Sequence, residues 1–368
     1  MTVETLKADL ETSVDVLHYF LQKVWEQEQI LEDWQRELMV KLPKKGDLTE
    51  CSNWRGITLM VVAAKVLGRI IITRIRDGID TKLRQEQAGF RKDRSTMEQI
   101  FILRNIIEQC IEWNANIYVC FVDFEKAFDS VDCSVLWRIM RSYSIPEKIV
   151  TMVKVMYSGS ECAVIDGSGV HDWFEIKTSV KQGCCMSGFL FLLVVDWAMR
   201  KTTKHGNTGI RWKFNNFLED LDFADDLALI SSGRSHIQTK VSNLGHYAKM
   251  MGFKINTAKT MMMCWNNTAG RKVQVNGKEL ETVSKFVYLG GTVTQEGGSD
   301  EDIKSRLGKA RAAFSKLRNI WGSSQLKLKT KLKIFKSNVM DSLLYGCETW
   351  RMTKRDVSPS WTYFYIKV

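Results

Sequence analysis

Apolar residues recur along this chain with two periods, and the change from one to the other marks out helices and strands. Within residues 1–38, Leu17, Phe20, Leu21, Val24 and Trp25 fall at helical spacing, which predicts helix through the segment. The same test predicts helices over 62–75, 96–113, 134–143, 146–157, 189–199 and 236–250; in 96–113 the stripe is Ile100, Leu103, Ile107 and Cys110. Ile117-Tyr-Val-Cys-Phe-Val122 is an unbroken apolar run and reads as a buried strand that stops at Asp123. Short strands are expected over 163–165, 173–177 and around 253–256, a basic turn over 41–47, and a hairpin over 221–230 with Asp225-Asp226 at its tip. Only Pro43, Pro146 and Pro359 interrupt these elements. Helices alternating with strands that meet at one edge predict an α+β fold, a sheet with helices behind it.

Residues 303–340 have a different pattern, with eleven Lys or Arg and no Asp or Glu. Leu307, Ala310, Phe314, Leu317 and Trp321 form one apolar stripe, and Leu328, Leu332, Phe335 and Val339 a second; Lys304, Arg311 and Arg318 repeat on another face. A small helical lobe with one basic face follows. Most charge runs are simply solvated, but the absence of acids over this length favours contact with a nucleic-acid backbone.

Composition narrows the function classes. With 368 residues, 45% of them hydrophobic, the chain can bury a substantial core divided into two or three lobes. The net charge of +11 favours a polyanionic partner, either nucleic acid or a membrane surface. The N-terminus lacks the pattern of a signal peptide, and the longest apolar run, 189–195, is too short to span a bilayer, so no membrane association is expected. Nine cysteines, an odd count without C-x-x-C, indicate neither a disulfide framework nor a zinc site and point to a reducing, intracellular setting.

Chemistry enters with a divided set of carboxylates: Asp123 at the end of one strand, and Asp225 and Asp226 where the hairpin turns. Two strands could present these acids at one point. Carboxylates packed so closely repel one another unless a cation lies between them. A pair of Mg2+ ions, hard cations that leave positions open for phosphate, is the economical occupant, and it points to nucleotidyl transfer. The plain alternatives are a solvated acidic turn and a strand-end acid that accepts backbone N–H bonds.

Further motifs extend the picture. Asn53-Trp-Arg-Gly-Ile-Thr-Leu59, Gln87-Ala-Gly-Phe-Arg91 with Arg94-Ser-Thr96, and Phe121-Val-Asp-Phe-Glu-Lys-Ala-Phe-Asp129 come first. Gln182-Gly183, Phe223-Ala-Asp-Asp226, Gly252-Phe-Lys-Ile-Asn256 with Lys259-Thr260, and Tyr288-Leu-Gly-Gly291 follow. In this order and spacing, over roughly residues 34–350, the chain resembles the reverse transcriptases of non-LTR (LINE-type) retrotransposons.

The resemblance implies a right-hand polymerase: an N-terminal helical extension (1–38), fingers (39–115), a palm of antiparallel sheet backed by helices (116–295), a basic helical thumb-like lobe (296–350) and an irregular tail (351–368). It implies that Asp123 and Asp225 hold two Mg2+ ions, with Asp226 in support and Asp129 structural at the start of the next helix. Phe128 would exclude a 2′-hydroxyl, and Gln182 and Gly183 would lie against the incoming base and template. Arg55, Lys65 and Arg91 would grip the triphosphate, Lys259 would help protonate pyrophosphate or else salt-bridge a neighbour, and Tyr288, Leu289 and Gly290 would form the primer grip. The implied partners are an RNA template, a DNA primer and dNTPs, and the implied compartment is the nucleus.

Two departures matter. Where the family usually has a Leu-Ser-Pro sequence, this chain has Met186-Ser-Gly-Phe189, and loss of the rigid proline is expected to loosen the Gln182 loop. Residues 1–33 could not hold the endonuclease that such elements carry, and the last residues resemble read-through past a break, so the chain is expected to be the polymerase portion of an element copy. The alternative is a catalytically impaired relic that keeps nucleic-acid binding. An RNA-dependent RNA polymerase, which shares the palm chemistry, is disfavoured by Phe128 and by Ala224 before the acid pair.

Overall fold

The computed structural model describes residues 3–44, 46–176, 180–181, 183–204, 206–213, 216–266 and 272–351. The chain packs as two compact units that interleave along the sequence: 1–92, 124–204 and 242–256 form the first, and 93–123, 205–241 and 257–368 the second. Neither unit therefore coincides with one of the linear segments expected above.

In the first unit, helices Val3–Ala8 and Leu10–Gln27 end well before residue 38, because Arg36–Pro43 is a strand. The expected helix over 1–38 and basic turn over 41–47 are both corrected by this strand. It pairs antiparallel with Trp54–Leu59 and parallel with Glu161–Asp166. Helix Ser187–Thr202 is apolar on nearly every side and accordingly buried along its length. Its one buried acid, Asp196, accepts hydrogen bonds from Tyr143 and Arg200 and from the Arg84 backbone N–H. Helix Val62–Asp80 runs a full turn beyond its expected end. The strand expected at 253–256 is reduced to a single bridge between Phe124 and Ile255.

In the second unit, a five-stranded sheet has the order Glu281–Thr282, Met261–Trp265, Ile117–Val122, Asp226–Ser231, Asp220–Phe223. Ile117–Val122 lies at its centre, which explains its lack of polar positions: it is buried at all six residues. Helix Thr96–Glu112, capped by the Ser95 hydroxyl, lays Leu103, Ile106 and Ile107 against Val119, Phe121, Ala228 and Ile230. The hairpin Lys285–Tyr288 and Gly291–Thr294 adds Tyr288 and Val293 to that core.

Beyond it, Asp300–Lys316 and the helices that follow gather around Ala310, Val339 and Leu343, with Leu307, Phe314, Trp321 and Phe335 against them. The second apolar stripe is only half used, since Leu328 and Leu332 remain exposed. No helix among the described residues is long and apolar enough to cross a membrane.

Candidate active site

The acids are brought together by register. Strand Asp226–Ser231 pairs antiparallel with Ile117–Val122, and the last pair is Leu227 with Val122. One rung further, Asp226 stands opposite Asp123; side chains directly opposed in this way have Cβ atoms about 4.5–5.5 Å apart. Phe223 pairs with Asp226, so the turn consists of Ala224 and Asp225 alone. The expected tip is thus displaced by one residue, and Asp226 opens the returning strand. Ala224 has a φ of 58°, left-handed backbone that costs an L-residue on the order of 1 kcal/mol. Such strain gathers at functional sites.

Crowding shows in the electrostatics. The Asp226 carboxyl is pushed up to about 6, first by surrounding protein that displaces water and then by the negative charges of Asp225 and Asp123. Its tip still opens to solvent. Buried Thr260 fixes the end of the central strand, its hydroxyl accepting a 3.2 Å hydrogen bond from the Asp123 N–H. Lys259 Nζ lies 3.9 Å from Asp123 Oδ2, and the lysine is 70% exposed, a loose ion pair of little energetic weight.

Among the described residues, no three His, Cys, Asp or Glu side chains already stand together in metal-ligand geometry. The donor chemistry nevertheless fits a hard divalent cation: mutually repelling carboxylates, one of them raised by burial and by the charges of its neighbours, reached from solvent.

The 285–294 hairpin is fastened to the same sheet. Tyr288 is buried, its hydroxyl donating to the Leu221 carbonyl at 2.9 Å and its ring 5.4 Å from that of Phe121. Tyr288 is thus a buried anchor, while the Leu289-Gly290 turn is half-buried, Leu289 packing against the same core. Both turn residues are left-handed, φ 48° and 83°, as a two-residue hairpin of the I′ kind requires.

The first unit holds the remaining candidates. The ring of Phe128 stacks on Phe191 (4.1 Å, 14°) and meets Phe90 edge-on (6.2 Å, 83°). Gly183 has a φ of 107°, and a Cβ there would lie 2.6 Å from the Thr58 carbonyl oxygen, so only glycine fits. Gln182 lies outside the described residues. Arg55 and Lys65 are exposed, on strand Trp54–Leu59 and helix Val62–Asp80.

One expectation needs correcting. The guanidinium of Arg91 is 5% exposed and already engaged with the Asp80 carboxylate and the Arg84 and Gln87 carbonyls, so it braces its own loop rather than waiting for a phosphate. Asp129 lies in the first turn of the short helix Ala127–Ser130, the next helix after the strand, as expected, and the helix after that is capped by Asp132, which accepts from the N–H groups of Ser134 and Val135.

Some residues escaped the sequence reading. Lys181, directly before Gln182, is buried in an ion pair with Glu37 (2.8 Å) and donates to the Met156 carbonyl. Phe90 packs on Gly188, where a Cβ would lie 2.7 Å from its ring. Phe90 and Thr260 sat inside recognised motifs, but nothing in those motifs said which neighbour each would touch.

Comparison with solved structures defines the class. The apo telomerase of Candida tropicalis aligns with 96% of this chain and 64% of its own at a TM-score of 0.53 and 15% identity, and a C-terminally truncated form at 0.52. At that identity the likeness shows the fold alone, that of a right-hand polymerase.

Residues 42–293 match the family model of reverse transcriptase (RNA-dependent DNA polymerase), and the chain belongs to that family. Residues 313–345 match a domain of unknown function, DUF6451. Its relatives are non-LTR retrotransposon proteins. The Transposon TX1 uncharacterized 149 kDa protein of Xenopus laevis is 24% identical over 88% of this chain and 25% of its own length. A Pol polyprotein from the type-1 retrotransposable element R2 of Popillia japonica is 25% identical over 88% and 45%. The RNA-directed DNA polymerase from mobile element jockey of Drosophila funebris is 22% identical over 86% and 35%. The chain thus spans less than half the length of these relatives.

Proposed function

We propose that this chain extends a DNA primer on an RNA template by two-metal nucleotidyl transfer, as the polymerase portion of a retrotransposon protein that acts in the nucleus. The observation that carries the reading is the approach of Asp123, Asp225 and Asp226 at the adjoining ends of two strands, where burial and then the charges of Asp225 and Asp123 raise the Asp226 carboxyl. Asp123 and Asp225 would hold the ions, with Asp226 beside them. When bound, Mg2+ supplies Lewis acidity that lowers the pKa of the primer hydroxyl and neutralises phosphate charge.

The chain's own groups do the rest. Phe128, its ring fixed by Phe191 and Phe90, excludes a 2′-hydroxyl from the sugar. Arg55 and Lys65 grip triphosphate oxygens, and Gln182 with Gly183 lies against the base and template, the glycine backbone allowing close approach. Lys259, beside Asp123, donates a proton toward departing pyrophosphate. The Leu289-Gly290 turn seats the primer end.

Primer extension on an RNA template with Mg2+ tests the reading. The parent is expected to extend and Asp225→Ala not, with both retaining salt-sensitive template binding. Binding without extension in the parent would instead support the impaired relic.

A further inference from the structure

The segment 343–350, Leu-Leu-Tyr-Gly-Cys-Glu-Thr-Trp, has no part in the chemistry described so far, yet it is tied to the primer-grip turn. The Tyr345 hydroxyl donates to the Leu289 carbonyl at 2.9 Å and lies 3.3 Å from the Thr96 hydroxyl, at the start of helix Thr96–Glu112. Arg306, on helix Asp300–Lys316, donates to the neighbouring Gly290 carbonyl, and its guanidinium lies over the Tyr345 ring, 4.4 Å from the centroid. Both carbonyls of the two-residue turn are therefore held by side chains of the helical lobe.

The base of the hairpin is fastened by a second, buried set of contacts. Arg104 donates to Asp302 (2.8 Å), to the Thr349 hydroxyl (2.8 Å) and to the Thr292 carbonyl (3.1 Å). Asp302 also accepts from the Thr292 N–H and the Trp350 indole, at 2.9 Å each. Strand residue Thr292, lobe residue Asp302 and segment residues Thr349 and Trp350 thus share one charged cluster.

This fastening has a physical task. Leu289 is left-handed at φ 48°, a conformation that leucine disfavours and that persists only where its surroundings over-determine it. Leu289 has no polar side chain to stabilise the turn locally, as an asparagine would. The donors come instead from 16 and 56 residues away in sequence.

We propose that residues 345–350, with Arg306, form a latch that holds the primer-grip turn in its strained shape, so that Tyr345 and Arg306 are positioning residues for the primer terminus. The latch makes seating of the primer depend on the contacts that Arg306 and Tyr345 make with the turn. The inference rests on the polymerase reading for what the turn binds, but the geometry of the latch stands apart from it.

Two measurements on Tyr345→Phe keep these separable. The substitution removes one hydroxyl and leaves the ring over Arg306. In primer extension on an RNA template, KM for primer–template is expected to rise roughly three- to ten-fold, the size of one neutral hydrogen bond, with a smaller change in kcat and shorter products per binding event. Hydrogen exchange at the 289–292 amides is expected to accelerate, with the melting temperature close to that of the parent. Arg306→Lys, which keeps the charge and loses the fork, is expected to act in the same direction. If the parent extends and both variants leave KM and exchange unchanged, the latch is wrong. If the parent does not extend, the polymerase reading fails, and exchange alone decides the latch.

Discussion

Asp226 faces Asp123 across the two central strands of the second unit, one rung past the Leu227–Val122 pair, and it carries the raised pKa of the acid group. Carboxylates whose charges act on one another in this way are a liability for the unliganded fold and an asset only when a cation joins them. Asp226→Asn is therefore expected to stabilise the fold and raise its melting temperature in the absence of divalent ions, the gain in stability being less than about 1 kcal/mol because the site opens to solvent. The stabilisation that Mg2+ gives the parent should shrink in the same variant. Thermal melts with and without Mg2+ check both signs, and a destabilised metal-free variant would contradict the crowding.

The ring proposed as the sugar gate, Phe128, has a support of its own. Phe90 stands edge-on to Phe128 and occupies the space that Gly188 leaves open. In this chain Gly188 is thus matched to a ring, and its departure from the family proline is a packing feature as much as a loosened turn. Phe128→Ala is expected to raise ribonucleotide incorporation by ten-fold or more on the order-of-magnitude scale of a lost steric contact. Gly188→Ala, by displacing Phe90, should raise it by a smaller factor. Competition between dNTP and rNTP on a single template position reads both, and equal sugar discrimination in parent and Phe128→Ala would remove the gate.

Lys181 and Glu37 are 2% and 1% exposed at their side chains, so each charge depends on the other. Lys181→Met alone leaves a buried carboxylate and is expected to cost about 3–5 kcal/mol, whereas Lys181→Met combined with Glu37→Leu should cost far less. Chemical denaturation of the three proteins gives the comparison. Similar losses in the single and double variants would show that the pair is not coupled.

Acid should loosen the lobe through Asp302. Burial pushes its carboxyl up, but hydrogen bonds from the Thr292 N–H, the Trp350 indole and Arg104 outweigh burial and hold it below the ordinary range. A carboxylate lowered in the folded state contributes stability above its unfolded pKa of about 3.9 and loses that contribution as pH falls through the folded value. Stability is expected to decline below about pH 4. Asp302→Asn, which strands the buried Arg104 guanidinium, should cost about 3–5 kcal/mol at neutral pH and flatten the acid limb. Denaturation midpoints from pH 7 down to pH 3 test the slope.

What was legible in the sequence depended on whether a partner lay nearby. Ile117–Val122 could be read because a central strand buries both faces and carries no polar residue, and the acids beyond it followed. The Arg36–Pro43 strand was hidden because its most buried residue is Glu37, an acid whose partner Lys181 lies 144 residues away. Its neighbour Trp54–Leu59 was obscured by Gly56, where the missing side chain makes room for Met39. Arg91 looked like a phosphate ligand because nothing local announced Asp80 as its partner. The helical lobe was legible from its first stripe, while exposed Leu328 and Leu332 show that periodicity predicts a face and not what covers it.

Single-turnover extension of a DNA primer on an RNA template tests most directly whether Asp123 and Asp225 hold the ions of a polymerase centre. The rate should rise and saturate with Mg2+ in the parent and fall by at least about 1,000-fold in Asp123→Ala and Asp225→Ala, with a smaller loss in Asp226→Ala. Extension that persists in Asp123→Ala, or that is indifferent to Mg2+ in the parent, would contradict that role.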